Sequence, residues 1–167
     1  MTFSAAAQAR FDLSGKTALV SGSSRGIGFA LASGLAEAGA HVILNGRDAA
    51  ALNAASDKIS AIGGTTSQLI FDVTDRQSVE DAINGFERYT GPLDILINNA
   101  GMQHREALEE FDLAAFERVM ATNVTGVFTL SQLVARHMIA RKQGKIINIA
   151  SVMTRAARHM IGAYTTS

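Results

Sequence analysis

The sequence predicts a doubly wound α/β domain, a parallel sheet covered by helices on both faces. Three observations point there. Short runs of apolar, β-favouring residues alternate with longer segments whose apolar positions recur at helical spacing, the pattern of βαβ crossovers. The apolar runs are continuous and do not alternate in and out, as expected of strands buried on both faces. Fifteen glycines against one proline in 167 residues mean many tight turns and few stiff linkers, hence one repeating architecture. The length suits a single domain.

The elements follow in order. Residues 1–12 read as a short N-terminal extension, lacking the basic start and long apolar stretch of a secretory signal, and the α/β domain spans 13–167. The first strand is 17–21 (TALVS), and a glycine-rich turn follows it. Ile27, Ala30, Leu31, Leu35 and Ala38 then mark one helix face, and Gly39 stops that helix. The second strand is 41–44 (HVIL). Leu52, Ala55, Ile59 and Ile62 carry the second helix, ended by Gly63 and Gly64. The third strand is 67–73 (SQLIFDV), and Val79, Ala82, Ile83 and Phe86 give the third helix, with Asp75 placed to cap it. A fourth strand at 93–97 (LDILI), a long helical stretch over 112–142 and a fifth strand at 145–150 (KIINIA) complete the pattern.

Composition narrows the function. Fifteen Lys plus Arg balance fifteen Asp plus Glu, which removes the electrostatic case for binding nucleic acid or a membrane surface. The 47% apolar content excludes intrinsic disorder, yet no run approaches the ~18 apolar residues of a membrane span. The absence of cysteine excludes disulfides and thiolate metal sites and fits a cytoplasmic location. No His, Asp and Glu cluster has metal-ligand spacing, so no catalytic metal is expected.

Ligands of doubly wound sheets bind at the carboxyl ends of the strands. The first such end carries Gly22, Ser24, Arg25, Gly26, Ile27 and Gly28, three glycines spaced G-x3-G-x-G between strand and helix. Glycine lets backbone N–H groups approach an anion closely, and the helix N-terminus adds partial positive charge, so a pyrophosphate suits the site. A plain tight turn is the other reading of the same residues.

The fourth strand end adds Asn98, Asn99, Ala100 and Gly101; the long helix adds Asn123; Ser151 closes the fifth strand and Tyr164 follows. Together these motifs, in this order and at these intervals, resemble the short-chain dehydrogenase/reductase family over residues 13–167. The stretches LNGR at 44–47 and INNAGMQHREALEEF at 97–111 are most similar to its gluconate 5-dehydrogenase branch.

The resemblance implies a Rossmann-like domain with five strands present. It also implies an oxidoreductase that moves a hydride between a nicotinamide cofactor and a carbon bearing oxygen. Gly22, Ser24, Arg25, Gly26, Ile27 and Gly28 would shape the pyrophosphate and adenosine pocket, and Asp72 would accept from the adenine amino group. Asn98 would bridge strand ends, and Asn99, Ala100 and Gly101 would line the nicotinamide ribose. Tyr164 would be the general acid/base, Ser151 would hold the substrate oxygen, and Asn123 would position a water in the proton relay. At the second strand end stand Asn45, Gly46 and Arg47, where an NAD enzyme places a carboxylate for the ribose 2′-hydroxyl. Gly46 repels no phosphate there and Arg47 and Arg25 suit one, which favours NADP(H) and leaves NAD(H) possible.

In the family a lysine four residues after the tyrosine helps ionise it, since an ordinary tyrosine titrates near pH 10. That lysine would fall one place beyond Ser167. The run 145–150 is also too evenly apolar for a sheet edge. The expectation is that the C-terminal part of the domain is missing, and that a free-standing molecule of 167 residues folds poorly and turns over negligibly.

Substrate clues lie after the fourth and fifth strands. His104, Arg105, Arg155, Arg158 and His159 would suit a carboxylate such as that of gluconate, or are ordinary solvent-facing loop residues. The expected substrate is a small polyhydroxy acid of the gluconate or 5-ketogluconate kind. A 3-oxoacyl-carrier-protein reductase fits the same motifs, and a non-catalytic cofactor-binding module is the alternative outside enzymology. On the long helix Phe116, Met120, Val124, Val127 and Phe128 form an apolar band that packs on the sheet or, as in related enzymes, pairs copies into a homo-oligomer, dimer or tetramer.

Overall fold

The computed structural model describes residues 9–156 and 158–167, so residues 1–8 of the predicted extension lie outside the described residues. Strands β1 (Thr17–Val20), β2 (His41–Gly46), β3 (Thr65–Ile70), β4 (Ile95–Asn98) and β5 (Lys145–Asn148) form one sheet in the order β3-β2-β1-β4-β5. Every adjacent pair is parallel. Helices α1 (Gly26–Glu37), α2 (Ala49–Ala61) and α3 (Arg76–Tyr89) connect the first four strands. The long connection to β5 runs through α4 (Leu113–Met120), a π-helical turn (Ala121–Gly126) and α5 (Val127–Ala140); α6 (Gly162–Thr166) comes after β5. The doubly wound prediction holds. Strand order reverses between β1 and β4, the place where such sheets open a crevice at their carboxyl ends.

Successive strand residues point to opposite faces, and around β1, β2 and β4 both faces are covered by helices. Ala18, Val20, Val42 and Leu44 pack with Ala32 and Ala36 of α1 and Leu52, Ala55 and Ile59 of α2. On the other face Leu19, Ile43 and Leu96 pack with Val79, Ile83 and Phe86 of α3 and Leu130, Leu133 and Val134 of α5. Each such fully buried Leu or Ile stabilises the fold by about 1.5–3 kcal/mol relative to exposure. No helix among the described residues is long and apolar enough to cross a membrane.

Three expectations need correction. The buried stripe of α1 is Gly28, Ala32 and Ala36, whereas Ala30 is exposed and Ile27 is 67% exposed at the mouth of the crevice. Small residues let the helix lie close on the sheet, and they carry little hydrophobic signal. β3 ends at Ile70, not 73, because Asp72 Oδ1 accepts from the N–H and hydroxyl of Thr74 (2.9 and 2.8 Å) and turns the chain out of the sheet. Burial on both faces holds for β1, β2 and β4 but not for β3, which carries polar residues.

At the amino end of the sheet, His41 sits between β3 hydroxyls, with Nδ1 3.1 Å from Thr65 Oγ1 and Nε2 2.9 Å from Ser67 Oγ. Burial holds its imidazole below the ordinary value of 6.5. The unfolded chain therefore takes up the proton first, so the His41 contribution is fully favourable above pH 6.5 and is lost as pH falls below that value. Urea midpoints measured between pH 7.5 and 5 are expected to fall, and H41Q to flatten that slope; an unchanged slope in H41Q would exclude His41 as its source.

Candidate active site

The glycine turn between β1 and α1 is shaped by residues that leave the right-handed backbone regions. Gly22 has φ +64° and Gly26 φ +59°, conformations that side chains disfavour. A Cβ on Gly22 would also press on Ala100 Cα at 3.0 Å. Arg25 caps α1 without a side-chain bond, so the leading N–H groups of the helix stay unshielded beside Gly26 and Gly28. Nothing lies within 4 Å of a Cβ built at Gly26. A concave floor of unshielded amides at a helix N-terminus is a fitting cradle for a pyrophosphate.

That floor belongs to a cleft of about 420 Å³ along the carboxyl ends of β3, β2, β1 and β4. Every residue predicted to bind cofactor lines it: Gly22, Ser24, Arg25, Gly26, Ile27 and Gly28; Asn45 and Arg47; Asp72; and Asn99, Ala100 and Gly101. Gly46, Phe71, Val73, Met102 and Thr122 complete the lining.

Asn45 lines the cleft, yet its side chain serves the protein. It is 1% exposed. Its Oδ1 accepts from Gly22 N–H (3.3 Å), and its Nδ2 donates to the carbonyls of Leu69 (2.9 Å) and Phe71 (3.2 Å). Its N–H donates to Ser23 Oγ (2.9 Å) and its carbonyl accepts from Ser23 N–H (2.9 Å). Asn45 is thus a brace for the cleft floor, and its amide hydrogens are already committed.

At the outer end, Arg47 Nη1 lies 3.2 Å from Asp72 Oδ2. Partial burial pulls the Asp72 carboxyl upward, but the Thr74 hydrogen bonds and the Arg47 guanidinium together hold it below the usual carboxylate range. Gly46 puts no charge between them.

A second cleft, of about 590 Å³, shares Ile27 and residues 99–102 with the first. It brings together the three residues predicted to be catalytic, Asn123, Ser151 and Tyr164. Asn123 comes from the π-helical turn, whose Gly126 lies against Val73: a Cβ there would meet Val73 O at 3.0 Å. Ser151 begins the short 3-10 segment Val152–Thr154, with its Oγ accepting from Met153 N–H (3.3 Å). Tyr164 lies on α6, anchored by buried Ile161 and Ala163.

The Asn123 side chain is also committed. Its Oδ1 accepts from Met102 N–H, and its Nδ2 donates to Met102 O and Ser167 Oγ, each at 2.9 Å. As predicted, Asn98 is a strand bridge, donating to Asn148 Oδ1 and Ser131 Oγ (both 2.8 Å).

Of the residues predicted to meet the substrate, Ser151 lines this cleft and the other three do not. His104, Arg105 and Arg158 are not among the lining residues of the second cleft. His104 Nε2 faces Glu106 Oε2 at 3.1 Å and its ring meets Phe111 edge-on, while Arg105 and Arg158 are solvent-exposed. Sequence reading missed Ser21, whose Oγ accepts from the N–H groups of Asn99 (2.9 Å) and Ala100 (3.0 Å), and it missed Ser167. The only signal for Ser21 was a polar residue ending an apolar strand.

Residues 16–167 match the family model described as short chain dehydrogenase. The chain is 52% identical over 157 residues to a gluconate 5-dehydrogenase of Gluconobacter oxydans, covering 94% of this chain and 61% of that protein. It is 41% identical over 157 residues to a 5-keto-D-gluconate 5-reductase of Escherichia coli K12, covering 94% and 62%. A crystal structure of a gluconate 5-dehydrogenase from Burkholderia cenocepacia J2315, in complex with NADP and tartrate, superposes with a TM-score of 0.91 at 44% identity, covering 96% of this chain and 63% of that one. The chain thus spans less than two thirds of the length of these relatives.

Proposed function

The chain belongs to the short-chain dehydrogenase family, and from that premise we propose that the protein carrying it is an NADP(H)-dependent oxidoreductase. It interconverts a secondary alcohol and a ketone on a small polyhydroxy acid of the gluconate and 5-ketogluconate kind. The observation that carries this reading is the convergence of Asn123, Ser151 and Tyr164 on a cleft that opens directly from the glycine-floored one. The substrate class draws on the relatives that act on gluconate and its 5-keto form.

When bound, the nicotinamide supplies or accepts the hydride. The N–H groups of the turn at 22–28 hold the pyrophosphate, with Asp72 at the adenine and Arg47, joined by Arg25, at a 2′-phosphate. Asn99, Ala100 and Gly101 border the ribose where the two clefts meet, and Ile27 shields that junction from water. In reduction the Tyr164 hydroxyl gives its proton to the ketone oxygen; in oxidation it takes the proton back. Ser151 holds that same oxygen by a hydrogen bond, and Asn123, whose two amide hydrogens are already used, seats with an oxygen the water that passes the proton onward. His104, Arg105 and Arg158 serve the substrate carboxylate only if their loops turn toward the cleft on binding. The exposed Val124 and Phe128 support pairing of this helix between copies of the protein.

The test is NADPH oxidation by the whole protein with 5-keto-D-gluconate, against acetoacetyl thioester as the competing substrate. Keto-acid turnover is expected to dominate, and R47A to weaken NADPH binding about tenfold or more while leaving NADH binding nearly unchanged, since a charge-assisted contact is lost. Preference for the thioester would replace the substrate class, and tighter binding of NADH than NADPH would overturn the cofactor assignment. Cofactor binding with no turnover of either ketone would make the protein a binding module.

A further inference from the structure

Ser167 stands between two of the side chains just assigned to the chemistry. Its Oγ accepts from Asn123 Nδ2 at 2.9 Å and donates to the Tyr164 main-chain oxygen at 3.0 Å. The directions are fixed. The hydroxyl has one hydrogen, which the Tyr164 carbonyl takes, so toward Asn123 it acts as acceptor. The orientation of the Asn123 amide is set in turn by the Met102 N–H on its oxygen and the Met102 carbonyl on its nitrogen, both at 2.9 Å.

A single hydrogen-bonded path therefore runs Met102–Asn123–Ser167–Tyr164. It joins three elements, the loop after β4, the π-helical turn and α6, and all four residues line the second cleft. A serine that merely folds back on its own turn would bond Tyr164 O alone. The link to Asn123, 44 positions away in sequence, ties Tyr164 to another wall of the cleft.

We propose that Ser167 is a positioning residue that holds the Tyr164 turn against Asn123 and so sets where the Tyr164 hydroxyl stands relative to Ser151. This rests on the functional reading above. It makes Ser167 act through Asn123, which separates it from a residue that only stabilises the fold.

The test is a double-mutant cycle on kcat in the whole protein, with NADPH affinity measured alongside. Ser167→Ala is expected to lower kcat about ten- to a hundredfold, the scale set by misplacing a reacting group, with the NADPH dissociation constant nearly unchanged. Ser167→Thr keeps the hydroxyl and is expected to recover most of that loss. In an Asn123→Ala background Ser167→Ala should cost almost nothing further, because the partner is already gone. The proposal is overturned if Ser167→Ala leaves kcat unaltered or lowers only the melting temperature. It is equally overturned if the full loss recurs in the Asn123→Ala background, or if Ser167→Thr is as impaired as Ser167→Ala. The cycle runs on whichever ketone the wild-type protein reduces. Wild-type protein that reduces none refutes the functional reading and this inference together, whereas active wild-type protein with an additive cycle refutes the inference alone.

Discussion

Replacing Tyr164 by phenylalanine is expected to lower kcat by about 10²–10⁴-fold, the usual contribution of a positioned proton donor. The substitution removes one oxygen and keeps the ring. Ile161 and Ala163, which anchor α6 in the core, are untouched. The bond from Ser167 goes to the Tyr164 main-chain oxygen and survives as well. Tyr164 lines the second cleft and is not among the lining residues of the first, so NADPH affinity should barely move. Steady-state kinetics paired with a fluorescence titration of NADPH would read both quantities. A residual rate above about a tenth of wild type would remove Tyr164 from the role of acid/base. A parallel loss of cofactor affinity would mean that the change had disturbed the junction between the clefts.

The second large effect is expected from Gly28→Ala, and its contrast is Gly34→Ala in the same helix. A Cβ at Gly28 would sit inside contact distance of Asn99 Nδ2 and Gly22 O, with Gly22 C at 3.0 Å. Neither neighbour is a flexible side-chain end. Asn99 Nδ2 is held by the carbonyls of Ser21 (3.0 Å) and Gly22 (3.2 Å), and Gly22 O belongs to the cradle itself. Relief requires α1 to move off the sheet or the cradle to open, an overpacking cost of about 1–3 kcal/mol. NADPH affinity should fall at least about tenfold, as 1.4 kcal/mol of that cost borne by the bound state is already tenfold. At Gly34 nothing lies within 4 Å of an added Cβ, so alanine there should stabilise by about 0.4–1 kcal/mol through the unfolded chain. Thermal melts of the two variants would show opposite signs, and NADPH titrations a loss for Gly28→Ala alone. A Gly28→Ala protein with wild-type affinity would mean that the close approach of turn, helix and Asn99 is not required.

Where the sequence was legible, local chemistry and final structure agreed. Asp75 caps α3 by accepting from Ser78 N–H, and Val79, Ile83 and Phe86 are its buried face. The strand-end residues fell on the clefts because a parallel sheet leaves its carboxyl ends open whatever fills its core. The failures have separate causes. On α1 the large apolar residues drew the predicted stripe, although glycine and alanine are what allow the helix to pack closely against the sheet. The π-helical turn keeps the apolar periodicity of its neighbours almost intact, so a stretch read as one helix concealed the place where Asn123 is turned toward Met102. The polar outer strand β3 began two residues before its apolar run, since pairing with β2 from His41–Thr65 onward sets its start. Asn45, Ser21 and Ser167 each depend on a bond to a partner between 22 and 79 positions away, and no local spacing encodes such bonds.

Asn45 gives the molecule a property that concerns time more than affinity. Its bonds to the β1 turn and to the carbonyls of Leu69 and Phe71 exist only after β1, β2 and β3 have all found one another. A chain that had paired β1 with β2 and stopped would have the Ser23–Asn45 bonds, but not the carbonyls of Leu69 and Phe71 that fix the Asn45 amide with its oxygen toward Gly22. The bracing of the cradle is therefore complete only when bonds spanning more than twenty residues of chain have closed on both sides of β2. Local opening of β3 would thus loosen the floor of the first cleft as well as the edge of the sheet.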